Sequence, residues 1–385
     1  MKILVACNTF KEALDSIKVC NCIKEGLLCS SKKFVITTLP LADGGTGTAK
    51  ILTKSLDGRF IHKLVSGPLP GQKVKAKYGI VGRGNKKIAI VELAEAAGLR
   101  LVPCDKRDPL ITTTKGVGEL IYDTVVNHNV DEIILGIGDS ATIDCGIGAL
   151  SVLGFGFYDR TGRPVEVNCS GLLKVKQIVK DKNNLFLKKY YGKNIKITIA
   201  SDVTNRLTGK NGVLMFAKQK GAKESIYHVI ANAVSSFRKV VMKHYKVDLD
   251  KIPGSGAAGG IGGTLKVLLD AEIKPGFEII SEITKLEEKI RNHDIVITGE
   301  GKIDEQTIHG KTVFRVIQLA RKYKKPIICI AGWVEPTAKL LYDYGVVGIY
   351  STTMYPTTLQ DAIKNTSNSL RSIAESLGRT IAAVC

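Results

Sequence analysis

The stretch that decides the fold is HDIVITGEGKIDEQTIHGKTVFRVIQLARKY, which covers residues 293–323. Its first part, HDIVITGEG (293–301), is an apolar run that predicts a strand buried in a sheet. Its last part, TVFRVIQLARKY, has apolar residues at the spacing of an amphipathic helix. A strand, a loop and a helix in this order are typical of the βαβ units that build parallel sheets.

The loop inside this stretch carries charges of both signs. Glu300 and Asp304 follow the apolar run, and Lys311 stands at the start of the helix. The letters GKT (310–312) also close a phosphate-binding P-loop, but that motif requires a glycine where this sequence has Glu305. The loop is therefore not a P-loop, and the other segments of the chain must explain its charges.

The same alternation of strand and helix runs through both ends of the chain. KILVACN and PIICIAG are apolar runs typical of buried parallel strands, whereas residues 60–92 alternate and turn like antiparallel strands. Further on, TTTKGVGELIYDTVVN predicts a helix that its threonines can cap. The predicted fold class is α/β with two α/β domains. A Rossmann-like doubly wound domain is formed by both chain ends (1–65 plus 291–385), and a second α/β domain is inserted in it (66–290).

Length and composition bound the class of protein. With 385 residues, 44% of them hydrophobic and 24% charged, the chain is typical of a globular protein with more than one domain. No apolar stretch is long enough to span a bilayer, and MKILVAC already has the pattern of a strand. We therefore expect no membrane segment and no signal peptide. The 9 cysteines lack the paired spacing of a zinc site, so we expect reduced thiols in a cytoplasmic protein.

The net charge of +20 raises the question of a nucleic-acid partner. The lysines, however, are spread along the whole chain at helix ends and turns, and they are not interleaved with aromatic residues as in a single-strand binding groove. We expect a lysine-rich surface and no nucleic-acid partner. A basic balance also suits a small anionic substrate.

Glycine-rich loops with hydroxyl and acidic side chains follow several predicted strands. They are NTFKEALDS (8–16), LADGGTGT (41–48), GIGDSATIDCGIG (136–148), SDVTNRLTGKNG (201–212) and PGSGAAGGIGG (253–263). Any single one is explained by a turn or a helix cap. Their recurrence indicates more, because such loops expose backbone N–H groups to anions and carboxylates beside them bind Mg²⁺. Phosphoryl transfer needs these parts together.

Two of these loops also fit the fingerprint of a dinucleotide-binding oxidoreductase. GSGAAG (254–259) does not follow a clear strand. GIGDSA (136–141) does follow one, but the helix behind it would have to run through the glycines of TIDCGIGAL. In addition, Asp139 would direct negative charge toward the pyrophosphate. An NAD(P)-binding oxidoreductase therefore stays a minor alternative.

Taken as an ordered set, the motifs resemble those of the type I glycerate kinases. That family carries FKES, MADGGEGT, RNPLxTTTxGxGELI, GIGGSATNDGGxGxLxALG, CDVTNPLxGxxGA with QKGA, PGAGAAGGxGxGL and TGEGxxDxQTxxGK. This chain has FKEA, LADGGTGT, RDPLITTTKGVGELI, GIGDSATIDCGIGALSVLG, SDVTNRLTGKNGV with QKGA, PGSGAAGGIGGTL and TGEGKIDEQTIHGKT in the same order. The correspondence runs through nearly the whole chain, which makes it specific.

The resemblance implies an ATP-dependent glycerate kinase. Its members transfer the γ-phosphoryl group of ATP to D-glycerate, with 2-phosphoglycerate as the expected product and Mg²⁺ as a requirement. It also implies two α/β domains, one of them discontinuous, with the active site in the cleft between them. The sequence leaves open whether the chain forms a homo-oligomer.

The resemblance further implies roles for single residues. The catalytic candidates are Lys11, Asp43 and Asp202, and the two aspartates are also the candidate metal ligands, without a choice of which is base and which is ligand. The substrate-binding candidates are Asn205, Glu300, Asp304 and Lys311. The nucleotide- or phosphate-binding candidates are Gly136, Gly138, Ser140, Thr142, Gly256 and Gly259.

Several positions depart from the family pattern inside these loops. Asn8 replaces an aspartate, Thr46 a glutamate, Asp139 a glycine, Ile143 an asparagine and Arg206 a proline. Loss of two acids and an amide would change the substrate specificity or weaken metal binding. A catalytically impaired or substrate-shifted member that binds glycerate or nucleotide is therefore the main alternative to an active kinase.

Overall fold

The computed structural model describes residues 1–10, 12–42, 47–309 and 312–384. Its strands are β1 (Lys2–Cys7), β2 (Val35–Thr38), β3 (Arg59–Ser66), β4 (Lys73–Arg83), β5 (Lys86–Glu92), β6 (Glu132–Gly136), β7 (Phe155–Tyr158), β8 (Gln177–Lys180), β9 (Lys196–Ala200), β10 (Glu272–Lys274), β11 (Ile295–Ile303), β12 (Ile327–Val334) and β13 (Val346–Ser351). Its α-helices are α1 (Ser16–Ser30), α2 (Thr48–Ser55), α3 (Ala94–Ala97), α4 (Lys115–Val126), α5 (Ile147–Val152), α6 (Cys169–Leu172), α7 (Leu185–Gly192), α8 (Tyr227–Tyr245), α9 (Ile261–Leu269), α10 (Gly276–Thr284), α11 (Leu286–Arg291), α12 (Thr312–Lys322) and α13 (Leu359–Val384).

The two chain ends together form one unit around a parallel sheet. The five strands stand in the order β13-β12-β11-β1-β2, and all neighbouring pairs are parallel. Apolar residues of β1, α1 and α13 bury one another in a shared core, since the run KILVAC has almost no polar side chain to expose. The strand order reverses between β1 and β11, and open α/β sheets bind ligands at the carboxyl ends of the strands beside such a reversal.

The intervening chain forms a second unit around a mixed sheet. Its six strands stand in the order β10-β9-β6-β5-β4-β3, with β3, β4 and β5 antiparallel and the others parallel. A separate two-stranded sheet pairs β7 with β8. The predicted α/β fold class is confirmed, and the antiparallel strands predicted within residues 60–92 are present.

The structure divides the chain into residues 1–43 with 277–385 and residues 44–276. The sequence-based bounds after residues 65 and 290 differ from this division by one strand, β3, and three helices, α2, α10 and α11. The helix α2 falls in residues 44–276. β3 pairs along its whole length with β4, so it belongs to the six-stranded sheet. The helices α10 and α11 fall in the unit of the chain ends.

The start of α4 differs from the expectation that threonines cap it. Thr114 occupies the cap position without a capping bond from its side chain. Its N–H and its hydroxyl both donate to Oδ2 of Asp144 at 2.7 Å, and its Oγ1 accepts from the N–H of Ala149 at 2.9 Å. The threonine therefore ties α4 to the loop before α5, because a buried carboxylate competes for its hydroxyl.

Across the described part of the chain, no helix combines the length and the apolar character that crossing a membrane requires.

Candidate functional site

The carboxyl ends of the parallel strands in the second unit lie side by side. Glu92 of β5 is in register with Gly136 of β6, and Gly136 is in register with Ala200 of β9. Ala200 is in turn in register with Lys274 of β10. Since these strands are parallel, the loops after them leave from one edge of the sheet, and ligands of such sheets bind there. We refer to it as the carboxyl edge.

The loop after β6, residues 137–142, carries a strained residue at this edge. Asp139 has φ 57, in the left-handed region that favours glycine. The resembling family has glycine at this position, so the backbone conformation explains the family's residue. The carbonyl of Asp139 accepts from the N–H of Leu99 at 2.9 Å, which holds the loop against the preceding segment. The side chain of Asp139 is exposed, and Gly138 beside it is half-buried.

Ser140 and Thr142, two of the predicted phosphate-binding residues, are buried and joined by a lysine that the sequence analysis did not select. Lys220 donates from Nζ to Oγ of Ser140 at 2.7 Å and to the carbonyl of Thr142 at 2.8 Å. The hydroxyl of Thr142 is buried without a hydrogen-bond partner among the described residues. A buried hydroxyl of this kind is rare and is satisfied by a ligand or an ordered water.

Asp202 and Asn205 lie in the loop after β9. The carboxylate of Asp202 is exposed, and its Oδ1 accepts from the N–H of Gly276 at 2.9 Å. Nδ2 of Asn205 donates to the carbonyl of Asn211 at 2.8 Å. Asn205 also lines an open pocket of about 520 Å³, together with Thr204, Arg206, Thr208, Gly209, Lys210, Asn211 and Asp250. The cationic groups of Arg206 and Lys210 make this pocket suitable for an anion.

Gly256 and Gly259, also predicted to bind phosphate, are buried where three loops meet. The N–H of Gly256 donates to the carbonyl of Asn205 at 2.9 Å. The carbonyl of Gly259 accepts from the N–H of Cys145 at 3.0 Å. These contacts give the glycines a packing role, and their predicted role in binding phosphate stays a prediction.

Glu92 is a buried acid at the carboxyl edge that is not among the candidates predicted from the sequence. Its carboxylate is 5% exposed at the end of β5. Its Oε1 accepts from the N–H groups of Gly47 at 2.9 Å and Ala49 at 2.6 Å, so it caps the start of α2, directly after LADGG. Burial raises the pKa of Glu92 to about 7, against the lowering effect of these two hydrogen bonds. The sequence feature that could have indicated this residue is a carboxylate at the end of an apolar run, IAIVE.

Replacing Glu92 by glutamine is expected to change how stability depends on pH. A glutamine oxygen still accepts both N–H groups but does not titrate. The pKa of Glu92 is raised from 4.5 to about 7 on folding, so the native state holds a proton that the unfolded state has released. Wild type therefore loses stability relative to Glu92→Gln as the pH rises between these values, by at most on the order of 3 kcal/mol. Melting temperatures of both proteins across this range measure the effect. If the difference in melting temperature between wild type and Glu92→Gln does not change with pH, the raised pKa of Glu92 does not affect stability as predicted.

In the unit of the chain ends, Glu300 and Asp304 are brought together by a threonine. Thr307 is fully buried. Its hydroxyl donates to Oε1 of Glu300 at 3.1 Å and accepts from the N–H of Asp304 at 3.2 Å. Glu300 lies within β11 and Asp304 directly after its last residue, so Thr307 ties the segment after the strand back to β11, beside the reversal of strand order.

A second contact holds the carboxylate of Asp304. Nζ of Lys302 lies 3.4 Å from Oδ2 of Asp304 and 2.5 Å from Oε1 of Glu335. These carboxylates raise the pKa of Lys302 above its usual value, Glu335 with the larger effect. Because the lysine is exposed, the ion pairs orient Asp304 more than they stabilise the fold.

Replacing Thr307 by valine is expected to lower turnover by up to about 10²-fold, because it removes one of the hydrogen bonds that position Glu300. Valine has nearly the shape of threonine but lacks the hydroxyl. Thr307→Ser keeps the hydroxyl and is the matched control, which we expect to stay close to wild type. Steady-state kinetics on both variants, with melting temperatures to check folding, make the comparison. Equal activity of the valine and serine variants would contradict a positioning role.

The remaining candidates and departures divide into two groups. Lys11, Asp43 and Lys311 lie outside the described residues, as does Thr46. Ile143, in contrast, is fully buried in the core, so this departure does not remove an amide from an exposed surface.

The dinucleotide-binding alternative loses support from the local structure. That fingerprint requires a helix directly after the glycine motif. The residues that follow GIGDSA are not helical, and α5 begins only at Ile147. GSGAAG follows a short 3₁₀ turn, Leu249–Lys251, in place of a strand.

Comparison with known proteins covers the whole chain. Residues 3–382 match the model of the glycerate kinase family. Glycerate 2-kinase of Escherichia coli (strain K12) is 38% identical over 99% of this chain and 98% of its own length. Glycerate kinase of Bacillus cereus is 37% identical over 98% and 97%. A crystal structure described as that of glycerate kinase 2 from Salmonella typhimurium LT2 has a TM-score of 0.86 at 37% identity, and covers 100% of this chain and 98% of its own. The resemblance inferred from the motifs is confirmed.

Proposed function

The chain belongs to the glycerate kinase family, and on this basis we propose that it transfers the γ-phosphoryl group of ATP to D-glycerate, giving 2-phosphoglycerate and ADP. The observation that carries the proposal is the carboxyl edge, where the loop of Ser140 and Thr142 and the exposed carboxylate of Asp202 follow strands that are in register. A loop suited to phosphate beside a loop with a charged acid is what phosphoryl transfer requires.

The residues present fit Mg²⁺ as the accompanying metal. Mg²⁺ takes hard oxygen ligands and keeps several waters, so one or two carboxylates and the phosphates of a nucleotide complete its shell. Asp202 offers an exposed carboxylate whose orientation is fixed by the N–H of Gly276. Within the described ranges, no group of three or more His, Cys, Asp and Glu side chains is arranged to hold a metal by itself. When bound, the metal neutralises charge on the phosphoryl oxygens.

The chain's own residues have separate tasks in this proposal. The loop of Ser140 and Thr142 binds phosphate, and Glu92 fixes the start of α2. Either Asp43 or Asp202 accepts the proton of the glycerate hydroxyl as its oxygen bonds to the γ-phosphorus and the bond to ADP breaks. The other aspartate would hold the metal. Glu300 and Asp304 are the proposed substrate-binding acids, and Lys11 and Lys311 the proposed cations.

The test is a product assay with purified protein, ATP, MgCl₂ and D-glycerate, in which ³¹P NMR separates 2-phosphoglycerate from 3-phosphoglycerate. We expect the 2-isomer, no product with EDTA, and much slower turnover with L-glycerate. Formation of 3-phosphoglycerate would still support a glycerate kinase but would contradict the proposed site of phosphorylation. Absence of any product from folded protein that binds ADP would favour the impaired or substrate-shifted alternative.

A further inference from the structure

A lysine is buried beneath the loop of Ser140 and Thr142. Lys220 ends a 3₁₀ turn, Lys218–Lys220, and its side chain is 3% exposed. Two hydrogen bonds hold its Nζ, one to Oγ of Ser140 at 2.7 Å and one to the carbonyl of Thr142 at 2.8 Å. Both acceptors are neutral, so this ammonium has hydrogen bonds without a bonded counter-charge.

The carboxylate that acts on Lys220 from nearby is already engaged. Asp144 attracts the charge of Lys220 from a distance, but its own oxygens accept from Thr114, Gly146 and Gly148. Among the described residues, no carboxylate oxygen lies within the 4.0 Å of an ion pair with Nζ of Lys220. Burial therefore prevails and lowers the pKa of Lys220 to about 7. Fully buried cations without a partner are costly, and they persist chiefly where a function needs them.

The hydrogen-bond directions determine what Ser140 can do. An ammonium group has donors only, so Oγ of Ser140 accepts from Lys220 and the hydroxyl hydrogen must point elsewhere. Ser140 is 5% exposed, next to the exposed Asp139 at the carboxyl edge. Protonated Lys220 thus leaves the hydroxyl hydrogen of Ser140 available to another acceptor, whereas an uncharged amine could accept that hydrogen itself.

We propose that Lys220 is a positioning residue for nucleotide phosphate: its ammonium is the buried counter-charge of the bound phosphate and turns the Ser140 hydroxyl toward it. The inference rests on the proposed function, because it takes the loop of Ser140 and Thr142 as the phosphate site. Binding of the anion stabilises the protonated amine, so binding at slightly alkaline pH takes up a proton. The other charged groups around this turn are Asp139, Asp144, Arg107 and Lys218.

The test is isothermal titration calorimetry with Mg-ADP at about pH 8, in two buffers of different ionisation enthalpy, which gives the number of protons bound with the nucleotide. We expect wild type to take up roughly half a proton or more, and Lys220→Met to take up none and to bind about 10-fold more weakly or worse. Lys218→Met, which removes an exposed lysine from the same turn, should match wild type. Ser140→Ala should bind more weakly yet keep the proton uptake, and it tests the inference even where Lys220→Met fails to fold.

The outcomes separate this inference from the proposed function. The inference is wrong if wild type takes up no proton when it binds Mg-ADP, or if folded Lys220→Met takes up as much as wild type. Either result stands even where D-glycerate is phosphorylated. If Ser140→Ala binds Mg-ADP as tightly as wild type does, the proposed orientation of the Ser140 hydroxyl toward the phosphate is wrong. A wild-type protein that does not bind Mg-ADP overturns the inference and the proposed function together.

Discussion

Replacing Asp202 by asparagine is expected to lower kcat for D-glycerate by roughly 10²- to 10⁴-fold while the protein keeps its fold. The asparagine oxygen can still accept from the N–H of Gly276, which Asp202 does at 2.9 Å. The carboxylate is exposed, so its replacement leaves no buried charge unpaired. Only the negative charge is lost, and both of its proposed tasks depend on that charge. Steady-state kinetics with Mg-ATP and D-glycerate, together with melting temperatures, measure the effect.

The same variant tells which task Asp202 has. If it is the metal ligand, a higher Mg²⁺ concentration restores part of the lost rate. If it is the base, Mg²⁺ has no such effect, and the acid limb of the kcat/KM profile disappears. Asp181→Asn is the matched control, because Asp181 is also exposed and its Oδ1 accepts from a backbone N–H, that of Asn183, at 2.9 Å. Turnover of Asp202→Asn within about threefold of wild type would remove Asp202 from the catalytic candidates.

The fold was predictable because its signals are local. An apolar run such as KILVAC has the composition of a buried parallel strand, and the short extended segments separated by turns within residues 60–92 indicate the antiparallel strands β3–β5. The bounds of the two units were harder to predict from the sequence. β3 follows a strand–helix rhythm in sequence, but pairing with β4 assigns it to the other sheet, and no single segment encodes its partner.

The candidate site was predictable in its loops and less so in its supporting residues. Lys220 belongs to the QKGA motif, but its residue type is that of the many surface lysines of this chain, and only tertiary packing buries it beneath Ser140. Glu92 was visible as the last letter of a strand, but its contact with α2 spans more than forty positions of sequence. Thr114 has the residue type of a helix cap, yet Asp144 takes its hydroxyl. In each case the deciding partner is distant along the chain.

Glycine-rich segments show the same ambiguity, since a loop that binds phosphate and a loop that packs tightly both exclude a Cβ atom. Replacing Gly259 by alanine is expected to destabilise the protein by on the order of 3–5 kcal/mol. Its φ of +72° is unfavourable for alanine, and an added Cβ would lie 2.0 Å from the carbonyl oxygen of Thr142 and 2.7 Å from Cα of Ile143. Both neighbours are backbone atoms, so no side-chain rotation relieves the contact.

The effect should extend from stability to binding, because the Thr142 carbonyl that Gly259→Ala displaces is also an acceptor for Lys220. Gly262→Ala is the control in the same glycine-rich segment. Its Cβ would meet its nearest neighbours, the carbonyl of Gly254 and Cδ1 of Ile137, at 3.4 Å, and its position inside α9 favours alanine by up to about 1 kcal/mol. The prediction is tested by measuring the soluble yield, melting temperature and Mg-ADP affinity of the two variants. Equal melting temperatures would mean that the loops can separate without cost, and the glycines of PGSGAAGGIGG would then be explained better by direct contact with phosphate than by packing.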